Sequence, residues 1–152
     1  MSGDPTVVGI QIALAARLPM RSVERIDVEA GAGIVGDRYH GTRHRHLTVQ
    51  SLEEIARAEE EIGHSLDAVL TRRNVTVSHG DLPRTPGTRL RLGDVELEVV
   101  RDCAPCKLLE DDLGRNAKLA LHKRAGVVCR ALSSGSIELG AQLEVEEPAA
   151  LE

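Results

Sequence analysis

Four residues, Cys103-Ala104-Pro105-Cys106, carry the sharpest chemical signal in this chain. Two thiols at this spacing suit three kinds of chemistry. They can be half of a tetrahedral zinc site, which needs a second Cys or His pair at a defined distance. No such pair follows, and the third cysteine, Cys129, stands beside Val128 in an apolar strand. They can be a dithiol redox motif, which belongs at a helix start in a β-α-β unit. They can also hold one functional thiolate and a neighbour. In that case the adjacent Lys107 and a helix beginning at Pro105 would lower the thiol pKa. A purely structural pair at a strand end also satisfies the pattern.

Arginines supply the second signal. Arg72-Arg73-Asn74-Val75-Thr76-Val77 runs two guanidinium groups straight into an apolar strand. Alternation along a strand puts Arg72 and Asn74 on one face. Arginine forks suit phosphates and planar anions, although a solvated strand edge accounts for the pattern equally well. Arg124-Ala125-Gly126-Val127-Val128-Cys129-Arg130 brings two more arginines, with Cys129 alternating with Val127 and Ala131 as a core residue would.

Three histidines, His40, His44 and His46, lie close to Asp37 and could ligate a metal. Arg38, Arg43 and Arg45 share that segment, and their charges would repel a cation. A polar loop or an anion-facing wall is the favoured reading. His64, His79 and His122 sit in polar contexts and read as surface residues.

Short strands must position these groups. Residues 7–14, 23–28, 47–50, 74–77, 127–132, 136–139 and 142–145 read as strands, with turns at Ser134-Gly135 and Gly140. The glycine-rich segment 31–38 predicts tight turns and close backbone approach. The clearest hairpin spans residues 88–100, where Gly93-Asp94 favours a type II′ turn. Ser51 and Glu54 have capping-box spacing and open a helix that ends at Gly63. Its partly apolar face is Leu52, Ile55, Ala56, Glu59 and Ile62. Further helical turns are expected at residues 65–70 and 117–124. Many short strands with few helices predict a closed or nearly closed barrel.

Composition narrows the function classes. The chain has 152 residues, 41% of them hydrophobic, with one Tyr and no Phe or Trp. Its core must therefore be aliphatic, and it lacks the aromatic faces on which single-stranded nucleic acid stacks. A net charge of −5 disfavours nucleic acid and anionic membrane surfaces as partners. Three cysteines, no basic-apolar leader and no long apolar run point to a cytoplasmic protein.

The order of these pieces resembles the MOSC family, named for the C-terminal domain of molybdenum cofactor sulfurase. The matching pieces are Gly33-Ile34-Val35-Gly36-Asp37-Arg38 with His40, the segment Arg72 to Val77, Leu92-Gly93-Asp94-Val95, the cysteine pair, and the segment Arg124 to Arg130. The resemblance implies a mainly β (α+β) barrel with a few peripheral helices. It implies a single domain over residues 1–152, with its core at about 7–145. Cys106 is similar to the family cysteine that ligates molybdenum, so it is the expected catalytic and metal-binding residue. A soft thiolate suits that metal. Cys103 is then an accompanying thiol. Arg72 and Asn74 resemble residues lining the molybdenum cofactor (molybdopterin) site. Arg73, Lys107, Arg124, Arg130, Arg38 and Asp37 complete the expected cofactor-binding set.

The implied activity is reduction of N-hydroxylated compounds or sulfur transfer. The alternatives are a persulfide carrier for metal-sulfur cluster or cofactor biosynthesis, and a non-catalytic cofactor-binding module. These residues include no aminotransferase-like domain with a pyridoxal-phosphate lysine, and no ferredoxin or flavin module. The expected partners are therefore a cysteine desulfurase or separate electron-transfer proteins.

Overall fold

Leu90, Leu92, Val95, Leu97 and Val99 alternate with Arg89, Arg91, Glu96 and Glu98, and the chain buries the first set entirely. The polar set is then opposed by sign. Arg89 faces Glu98 and Arg91 faces Glu96 across the two strands, so each basic residue meets an acidic one. This hairpin is one part of a larger sheet. The computed structural model describes residues 4–15, 18–63, 72–103 and 126–146. Its elements are β1 (Val7–Ile12), β2 (Arg21–Ser22), β3 (Arg25–Glu29), β4 (Gly33–Ile34) and β5 (Leu47–Ser51), then the helix α1 (Leu52–Ile62). There follow β6 (Val75–Val77), β7 (Arg89–Leu92), β8 (Val95–Asp102), β9 (Val127–Ala131), β10 (Gly135–Glu138) and β11 (Leu143–Glu146). The expected turns at 65–70 and 117–124, His64 and His122 lie outside the described residues.

Eight strands form one sheet in the order β11-β7-β8-β9-β5-β6-β1-β2. The free edge of β1 is shared. Its last residues pair with β2. Its first residues bond to the other end of the sheet through Val7 N–H to Ala141 O (2.8 Å), Gly140 N–H to Val7 O (2.8 Å) and Leu143 N–H to Pro5 O (2.8 Å). The sheet thereby closes on itself as a barrel, as the strand pattern predicts. A smaller sheet, β10-β3-β4, adds Ile26, Val28, Ile34 and Ile137 to the same aliphatic core. Among the described residues no helix is long and apolar enough to cross a membrane.

β5 and β6 are parallel, so the chain must cross from the end of one to the start of the other, and α1 lies in that crossover. Gly63 ends the helix with φ 80° and donates to Glu59 O, as expected. The capping box does not form. Ser51 Oγ donates to Gly80 O, and no side chain caps the helix start. Glu54 is drawn away by a stronger partner: Arg84 reaches both of its oxygens at 2.9 Å and donates through Nε to Asp102 at 2.8 Å. That clamp buries Glu54 and rotates the helix. Ile55 and Ala58 face the core, whereas Leu52 is half-exposed. Asp102 ends β8 immediately before Cys103, so the clamp also fixes where the first thiol stands.

Candidate functional site

Three segments meet at one end of β1 and β6: the glycine loop with Asp37, the Arg72-Arg73-Asn74 approach to β6, and Cys103 after β8. Gly33 lets the first of them lie flat against the barrel. Its φ is 112°, and a Cβ there would stand 2.9 Å from the carbonyl oxygen of His46.

The Asp37 side chain is wholly buried. Its oxygens accept from Ala13 N–H (3.1 Å), Tyr39 N–H (3.2 Å), Arg38 Nη1 (3.3 Å) and Asn74 Nδ2 (3.4 Å). Asn74 is equally committed. Its Oδ1 accepts from the backbone N–H and hydroxyl of Thr48, and its Nδ2 donates to Gln11 O at 3.1 Å. Asp37 and Asn74 thus join β1, β5 and the glycine loop, and their side chains bond to protein. They are positioning residues.

The guanidinium groups are the outer layer. Arg38 touches Met20 Sδ at 3.4 Å as well as Asp37, and its Nη2 points to Arg72 O at 3.5 Å. Arg72 has φ 63° and lies outside the strand, so alternation does not set its direction. Its Nη1 donates to Leu18 O at 2.8 Å. Arg73 is buried and lies near Cys103. Tyr39, the sole aromatic residue, carries the Arg38 guanidinium 4.6 Å and the Arg45 guanidinium 4.4 Å from its ring centre. Arg45 Nε is buried without a hydrogen-bond partner.

Cys103 is buried and bonds through its N–H to Gly126 O at 2.8 Å. Burial pushes its thiol pKa up, against the pull of Arg73, Arg45 and Arg101. Desolvation wins, so Cys103 is held as a thiol. Cys129 is a core residue, as its alternation predicts, and burial raises its pKa steeply. Arg130 turns from the cluster to Glu98, its cross-strand neighbour in register. Cys106, Lys107 and Arg124 lie outside the described residues. Arg45 and Tyr39 were not singled out from sequence. Their only signal is the density of arginine in residues 38–45, because the stack forms across a turn rather than at a helical or strand period.

Among the described residues no His, Cys, Asp and Glu cluster could hold a metal. His40 contacts Glu29. His46 is buried and neutral: its Nε2–H donates to Thr42 O, and its Nδ1 accepts from Ala131 N–H. Burial is the main cause of its lowered pKa. An unfolded histidine then takes up a proton that the folded one refuses. Stability is full above the ordinary histidine value of 6.5 and falls as pH drops below it. The melting temperature is expected to be roughly 2–4 °C lower at about pH 5.5 than at about pH 7.5. His46→Asn keeps an acceptor for Ala131 and should flatten that slope; an unchanged slope would mean another group titrates.

The MOSC domain family model matches residues 36–144. Among solved structures, the YuaD protein of Bacillus subtilis is similar with a TM-score of 0.80 and 20% identity, over 94% of this chain and 96% of that one. YiiM from Geobacillus stearothermophilus gives 0.67 and 20%, over 96% and 75%. YiiM from Escherichia coli gives 0.68 and 16%, over 97% and 72%. At these identities the likeness is one of fold. No curated protein matches the sequence.

Proposed function

This chain belongs to the MOSC family, whose model covers most of its length, and on that premise we propose that it binds the molybdenum cofactor with Cys106 as the metal's thiolate ligand. The observation that carries the reading is the arginine cluster near Cys103. Arg73 and Arg45 bear electrostatically on Cys103, and Arg45 presents a buried, unpartnered Nε. A part-buried guanidinium with one buried, unmet donor fits an anionic, phosphate-bearing group. Arg72, Arg73 and Arg45 would hold its phosphate, with Lys107 and Arg124 as further donors. Asp37 holds the neighbouring Arg38, and Asn74 ties the residue after Arg73 to β1 and β5.

Bound there, the cofactor would supply a centre able to pass two electrons. The overall reaction is R–NH–OH plus two electrons and two protons giving R–NH2 and water, with the electrons delivered by a separate electron-transfer protein. This chain's part is to orient the anion, to exclude water at the buried Cys103 end, and to present one thiolate beside one protonated thiol.

Elemental analysis tests the reading directly. Protein from a molybdopterin-producing host is expected to carry stoichiometric molybdenum, lost in Cys106→Ser. Zinc in its place would reassign the cysteine pair to a structural metal. With neither metal, a persulfide on Cys106, sought by mass spectrometry after incubation with a cysteine desulfurase, becomes the reading to test.

A further inference from the structure

Beside the arginine cluster, the end of β1 and the chain after it enclose a cavity of about 150 Å³. Ile12, Ala13, Leu14, Leu18, Pro19 and Arg21 line it. All but one of these residues are apolar. Leu14 and Leu18 leave 67% and 46% of their surface in water, although the aliphatic core lies nearby. An apolar cavity of about this volume accepts one six-membered ring.

The cavity is built onto the arginine cluster. Ala13 N–H donates to Asp37 Oδ1 at 3.1 Å, and Arg38 N–H donates to Ala13 O at 2.8 Å. Met20, next to Pro19, is held by Arg38, and Leu18 O accepts from Arg72 at 2.8 Å. Arg72 makes that contact from φ 63°, a conformation that a non-glycine residue keeps only where its surroundings impose it. Arg21 is the one cation in the lining, and Arg72 reaches the wall from behind through Leu18 O.

We propose that this cavity receives the apolar ring of a small organic anion, an aryl carboxylate, whose charged group pairs with Arg21. Ring and charge are recognised together. The ring removes Leu14 and Leu18 from water, and the anion answers the arginine in the lining. As a substrate subsite it rests on the cofactor reading above; as a binding site it needs no molybdenum.

The test is an amide-resolved NMR titration of the full chain without added metal, using benzoate, acetate and benzyl alcohol as probes. Benzoate is expected to shift the amides of Ile12, Ala13, Leu14 and Leu18. It should bind at least about tenfold more tightly than acetate, which lacks the ring, or benzyl alcohol, which lacks the charge. Leu18→Ser should weaken benzoate by about tenfold. Leu18 is half-exposed, so that variant should fold. Arg21→Gln removes the charge at an exposed position, so it should fold and weaken benzoate and acetate but not benzyl alcohol. Equal binding of the three probes, shifts confined to other residues, or no effect of Leu18→Ser would overturn the subsite. Loss of the subsite with molybdenum retained leaves the cofactor reading intact, and benzoate binding without molybdenum does the reverse.

Discussion

Gly126→Ala is expected to remove most of the protein's stability. Gly126 has φ 97°, and a Cβ built on it would lie 2.2 Å from the carbonyl oxygen of Val49 and 3.0 Å from its carbonyl carbon. Neither atom belongs to a flexible side chain. Val49 sits in the middle of β5, in register with Val75 on one side and Val127 on the other. Relief of the clash must therefore move three strands. The cost should exceed about 4 kcal/mol, in the range reserved for core failures, against a usual total of about 5–15 kcal/mol. Gly140→Ala is the control. Its φ is 90°, and nothing lies within 4 Å of its Cβ position. It should cost only the left-handed backbone, about 1–2 kcal/mol. Urea midpoints for the two variants measure the difference directly. Equal losses would show that backbone conformation, rather than packing against β5, makes Gly126 necessary.

The second large effect is expected at Asp37. Removing its carboxylate in Asp37→Ala leaves the N–H groups of Ala13 and Tyr39 unmet and strips a buried Arg38 of its counter-ion. A loss of about 3–5 kcal/mol follows from breaking a buried pair. Asn74→Ala should fall near the same range, because four hydrogen bonds converge on that side chain. The two losses should not add, since each residue holds the other. Denaturant curves for both single variants and the double variant check this. The alternative has a different signature: molybdenum lost from Asp37→Ala with stability within about 1 kcal/mol of the parent would make the carboxylate a ligand-contacting group.

What sequence could show and what it could not divide along the range of the interactions. The β7-β8 hairpin, the end of α1 at Gly63 and the core position of Cys129 were legible because each depends on neighbours a few residues away. The capping box was also local, yet it failed. Arg84 lies 30 residues beyond Glu54 and outbids the helix start for its carboxylate. The same contest rotated the buried face of α1 away from Leu52. The pairing of Arg130 with Glu98 depends on strand register and could not be read from its own segment. Asp37 and Asn74 were expected to line a cofactor site, and the fold adds that they bond to one another. Arg45 was named only as part of an arginine-rich segment, because nothing in its local spacing distinguishes it from Arg43.

The closure of the barrel also bears on how the chain is made. The last bonds of the cylinder join Pro5 and Val7 to Ala141 and Leu143, almost the whole chain apart. On the ribosome, the first strand therefore emerges with one edge unsatisfied and keeps it so until β11 has left the exit tunnel. Such late, long-range pairing slows folding and leaves strand edges open to other chains meanwhile. The arrival of β11 is the event that lets the barrel shut.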